Sequence, residues 1–103
     1  MSAHRRLVFR PGARAEIRDA RQWYEGRVPG LGRRFLADLD ATMGRVLEHP
    51  EMYPALADGS GDRRALRRRF PYSVVCRVTD AAVVVLTCFH HREGLDAWRL
   101  PSR

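Results

Sequence analysis

Apolar positions change their period along this chain, and each change marks an element. Leu7, Val8 and Phe9 form a short apolar run within residues 6–10, and Pro11-Gly12 stops it, so a first strand is predicted there. Ala13, Ile17, Ala20 and Tyr24 then recur at helical spacing, with Arg14, Arg18, Arg21 and Glu25 off that stripe. Pro29-Gly30 ends this helix. A second, stronger helix is predicted over residues 32–49, where Phe35, Leu36, Leu39, Met43, Val46 and Leu47 make a continuous apolar face and Pro50 closes it. Two helices joined by so short a loop are expected to pack as an antiparallel hairpin.

Residues 51–62 lack periodicity and read as a loop whose tip is Asp58-Gly59-Ser60-Gly61. Three strands are predicted after it, over residues 64–69, 72–79 and 82–90, turned by Pro71 and by Asp80-Ala81. Such short connections require an antiparallel meander. A two-residue turn at Asp80-Ala81 pairs Thr79 with Ala82 and Cys76 with Val85. Tyr72, Val74, Cys76, Val78, Val83, Val85, Thr87 and Phe89 then share the face that the helices cover. Ser73, Val75, Arg77, Val84, Leu86, Cys88 and His90 share the other, a mixture of aliphatic and cationic groups suited to binding. A three-residue turn at Phe70-Pro71-Tyr72 would send Leu66 to the core and Arg67 and Arg69 to the side of Arg77 and His90.

Composition sharpens this picture. The 103 residues suffice for one domain with one core, and 45% hydrophobic with 30% charged residues is the balance of a folded soluble protein. All 19 basic residues are arginine and the net charge is +7. Part of the arginine preference is attributable to genomic base composition, but the clustering of Arg63, Arg64, Arg67, Arg68 and Arg69 is not. Guanidinium groups make forked hydrogen bonds to carboxylate or phosphate, so an acidic protein segment and a nucleic-acid backbone both fit as partners. Arg14, Arg18 and Arg21 read as a solvated helix face, with an acidic patch on a target as the alternative. The apolar run at the N-terminus is too short for a secretory signal, and no segment is long enough to span a bilayer, so cytoplasmic residence is expected. Cys76 and Cys88 are expected on opposite faces, roughly 10 Å apart along the strands, as free thiols.

Several features together carry a resemblance: the β-α-α-β-β-β order, Trp23-Tyr24 closing the first helix, and Pro29-Gly30-Leu31-Gly32-Arg33-Arg34-Phe35-Leu36 opening the second. His49-Pro50 closes that helix, and Phe70-Pro71-Tyr72 and Phe89-His90-His91-Arg92 before Trp98 complete the set. The chain resembles the RelE/ParE superfamily of small toxins from bacterial toxin–antitoxin pairs, and is closer to the ParE branch. The resemblance implies an α+β fold in which an N-terminal strand and a helical hairpin accompany a twisted antiparallel sheet, as one toxin domain over residues 1–103. It implies a cognate antitoxin whose acidic, amphipathic C-terminal segment wraps the toxin in a hetero-oligomer. The target is then DNA gyrase, inhibited by binding, or alternatively the ribosome and its mRNA, which RelE-like members cut.

The expected antitoxin-binding set is Arg67, Arg69, Val75, Arg77, Val84, Leu86 and His90. A nuclease would instead use His90 or His91 as acid or base and Arg67, Arg69 and Arg77 to stabilise charge on the phosphate. The two histidines equally fit a strand end in contact with solvent, since adjacent residues point to opposite faces. RelE-like nucleases usually carry several lysines and arginines about the sheet and a tyrosine or histidine late in the chain; this chain has no lysine and no tyrosine after Tyr72, although His90 or His91 could partly substitute. No metal-ligand spacing and no phosphate loop is present, so neither a metal nor a cofactor is expected.

Overall fold

The computed structural model describes residues 5–67 and 69–90. Strand β1 (Arg6–Phe9) leads into helix α1 (Pro11–Arg27) and helix α2 (Leu31–Glu48), and a 3₁₀ turn (Pro50–Met52) follows. Strands β2 (Arg63–Arg67), β3 (Tyr72–Val78) and β4 (Ala82–His90) complete the fold. These bounds agree with the pattern to within the usual fraying of element ends.

Pro11 starts α1, where its missing N–H is not needed. Between the helices, Gly30 takes φ 90°, a left-handed conformation that side-chain-bearing residues avoid. Gly32 is required for another reason: a Cβ there would lie 2.8 Å from the Arg21 carbonyl oxygen. This close approach brings Glu25 over the start of α2, where its carboxylate accepts the N–H groups of Gly30 (2.9 Å) and Gly32 (3.0 Å). These bonds hold the Glu25 carboxyl below the usual carboxylate range. One helix thus supplies the cap of the next.

The sheet order is β1-β4-β3-β2. The β2-β3-β4 meander is antiparallel as expected, whereas β1 pairs with β4 in parallel, making the whole sheet mixed. Parallel neighbours need a long connection, and the chain between β1 and β4 supplies it. Both helices cover one face. Their buried Ala20, Tyr24, Phe35, Leu39, Met43 and Val46 meet Ala65, Tyr72, Val74, Cys76, Val83 and Val85 from the strands. Tyr24 and Phe35 lie 5.1 Å apart between ring centroids, and Phe35 and Tyr72 5.0 Å, in the tilted and edge-on arrangements aromatic pairs favour.

Two local irregularities correct the expected facing of side chains. Arg67 pairs with Tyr72, so the β2–β3 loop is residues 68–71 rather than a three-residue turn. Moving the register by one residue inverts every side chain. Ala65 is therefore the core residue, Leu66 points outward, and Arg67 lies on the helix side. The pairing of Cys76 with Val85 is as expected, but a bulge follows: Val75 pairs with Thr87, leaving Leu86 without a β3 partner. Beyond it the alternation in β4 reverses. Cys88 enters the core and Phe89 turns outward, 52% exposed, the opposite of the expected arrangement.

Cys76 and Cys88 therefore share the core face rather than opposing each other. Both are free thiols, and burial pushes each up to about 12. Past the end of β1, the Glu16 carboxylate on α1 occupies the β4 edge, accepting the Cys88 N–H (2.7 Å) and the Thr87 hydroxyl (2.8 Å). Among the described residues no helix is long and apolar enough to cross a membrane.

Candidate functional site

A groove among the described residues opens on the helical side of the sheet rather than on its outer face. Where β1 meets the helical hairpin, this groove of about 760 Å³ runs between α1 and α2. Leu7 and Phe9 from β1, Ile17 from α1, and Leu36, Ala37, Leu39 and Met43 from α2 line it with apolar surface. Its polar lining is Arg14, Arg18 and Arg21 on α1 and Arg33 and Asp40 on α2. The helical period explains the arrangement. Arg14, Arg18 and Arg21 recur at i, i+4 and i+7, so they form one row beside the buried stripe. All five charged residues are exposed, and among the described residues none of them joins an ion pair. Arg14 lies over the Phe9 ring at 5.7 Å, its aliphatic stem extending the apolar surface.

The arginine-rich β2–β3 end is built differently. Arg67 grips Asp38 of α2 with two hydrogen bonds, Nη2 to Oδ1 at 3.1 Å and Nε to Oδ2 at 3.3 Å. The Tyr72 hydroxyl donates to the same carboxylate at 3.1 Å. Partial burial alone would raise the Asp38 carboxyl, but the bonds from Arg67 and Tyr72 outweigh it and hold the group low. On the outer face, Arg77 makes a matching fork to Asp62, Nε to Oδ1 at 2.9 Å and Nη2 to Oδ2 at 3.1 Å. Arg63 donates to the Tyr53 carbonyl at 2.6 Å.

The expected site residues are therefore dispersed. Val75, Arg77 and Val84 lie on the outer face, with Val75 buried and Arg77 tied to Asp62. Arg67 is on the other side of the sheet, so it does not join Arg77. Arg69 sits in the β2–β3 turn, 5.9 Å from the Phe70 ring centre, and Leu86 is the bulge residue. His90 ends β4 opposite Tyr72, its side chain outside the described residues, as are Arg68 and His91. Sequence reasoning missed Asp38, Asp40 and Glu25. The signal for the two aspartates was a pair of acids flanking Leu39, one on each border of the apolar stripe.

The family model described as the ParE toxin of the type II toxin–antitoxin system parDE matches residues 7–95. Among solved structures, the chain is similar to one from the chromosomal ParDE toxin–antitoxin system of P. aeruginosa. That match has a TM-score of 0.72 and 16% identity, covering 84% of this chain and 96% of that one. It is also similar to a chain of the RelBE2 toxin–antitoxin complex of Mycobacterium tuberculosis, with a TM-score of 0.61 and 20% identity over 86% of this chain and 100% of that one. At these identities the likeness is one of fold. Among curated proteins, no sequence matches significantly.

Proposed function

This chain belongs to the ParE toxin family of type II toxin–antitoxin systems, and from that premise we propose that it inhibits DNA gyrase by binding, and that a cognate antitoxin silences it by seating an acidic amphipathic helix in the α1–α2 groove. The observation that carries the antitoxin part is the groove's composition, an apolar floor with four arginines on its walls. A helix with leucines on one face and carboxylates on its flanks is its complement. Burying each large aliphatic side chain contributes about 1.5–3 kcal/mol, against about 0.2–1 kcal/mol for an exposed ion pair. Apolar burial therefore holds the partner, while the arginines attract it.

Inhibition by binding rather than by cutting RNA is supported by the state of two of the three arginines expected to meet a phosphate. Arg67 and Arg77 each spend a fork of donors on a carboxylate, Asp38 and Asp62. The carboxylate each arginine holds offsets its charge, so a phosphorane would gain less from either than from an unpaired guanidinium. The same pairing argues against seating the antitoxin on the outer sheet face.

The test is a supercoiling assay with purified gyrase. Added protein should lower supercoiling, and the antitoxin should restore it. Unchanged supercoiling at excess protein, together with cut message from translating ribosomes, would replace this reading with the nuclease one.

A further inference from the structure

The groove is not uniformly cationic, and its asymmetry is informative. Gly32 packs against Arg21 at the turn end of the hairpin. Asp40 lies about 12 Å further along α2, which in an antiparallel pair brings it level with Arg14. Near the turn both walls carry arginine, Arg21 on α1 and Arg33 on α2, and the one carboxylate beside them, Glu25, is committed to the Gly30 and Gly32 N–H groups. At the far end one wall is basic, with Arg14 and Arg18, and the other is acidic, with Asp40. Asp40 is exposed and makes no ion pair among the described residues. Asp38, two positions away, is already committed to Arg67 and Tyr72, so Asp40 is the carboxylate the groove presents to a partner.

We infer that Asp40 is a specificity-determining residue, selecting a partner helix that carries one basic residue among its acidic flanks and fixing that helix's direction and register. The inference rests on the proposed reading of the groove as the antitoxin's seat. An all-acidic helix would meet like charge at Asp40 in either direction. A helix with one arginine on the flank facing α2 meets opposite charge there, and only when it runs one way. A repulsive element of this kind separates partners that apolar burial alone would accept equally.

The probe is a set of synthetic amphipathic helical peptides with leucines on one face and glutamates on both flanks. A series follows in which one glutamate at a time is replaced by arginine. Binding to the purified full chain is read by fluorescence anisotropy. One single-arginine peptide should bind about threefold to fivefold tighter than the all-glutamate peptide, the range of an exposed ion pair. With Asp40→Arg, whose folding is checked by its thermal melt, the all-glutamate peptide should become the tightest. The inference is overturned if the native protein binds the all-glutamate peptide best, or if Asp40→Arg leaves the ranking intact while binding persists. Failure of every peptide to bind, or equal binding to Leu36→Glu, would overturn the groove reading itself.

Discussion

The helical groove and the β2–β3 end of the sheet are both rich in arginine, yet they do opposite things with it. On β2 and β3 three guanidiniums are held internally, Arg67 by Asp38, Arg77 by Asp62 and Arg63 by the Tyr53 carbonyl, while Arg64 and Arg69 are exposed. In the groove, Arg14, Arg18, Arg21 and Arg33 surround apolar surface and join no ion pair among the described residues. Arginine density along a chain therefore does not locate a binding surface. The position of the carboxylates decides which arginines remain available, and these are placed by the fold.

The difference should be largest in stability. Asp38→Ala strands a partly buried guanidinium and removes the carboxylate partner of the Tyr72 hydroxyl, and should cost about 2–4 kcal/mol in urea unfolding. A comparable loss from Arg18→Ala would erase the distinction between the two regions. Leu36→Glu should do the converse, weakening antitoxin binding by about 30-fold, or about 2 kcal/mol, in calorimetric titration while the fold persists.

Acidity offers a further contrast. The Asp38 carboxyl is held low in the folded state, so its contribution is fully present above the ordinary carboxylate pKa near about 4 and is lost as pH falls through the lower folded value. Asp38→Asn should flatten the acid limb of stability, read from urea unfolding at a series of pH values. The smallest effect belongs to Arg14→Ala with Arg18→Ala. Stability should stay within about 0.5 kcal/mol, while antitoxin association slows about fivefold at low salt and by less at high salt.

Much of the fold was legible because helix and strand periods are strong signals. The stripe from Phe35 to Val46 identified α2, and the turn at Asp80-Ala81 set the pairing of Cys76 with Val85. The facing of the expected site residues was not legible, because facing in a sheet depends on single-residue choices. A loop of residues 68–71 turned Arg67 toward Asp38, and one extra residue at Leu86 exchanged Cys88 with Phe89 between faces. Neither leaves a mark in composition. The row of Arg14, Arg18 and Arg21 was visible as a helix face, but its role depends on β1 and α2 supplying a floor beside it, which only packing reveals.

The central claim is that the antitoxin occupies the helical groove rather than the arginine-rich end of the sheet. Hydrogen–deuterium exchange of the purified chain, with and without its antitoxin, tests this most directly. New protection is expected in β1 and in the groove-lining turns of α1 and α2, with residues 63–77 little changed. Protection confined to residues 63–77, with the groove exchanging as in the free protein, would contradict it.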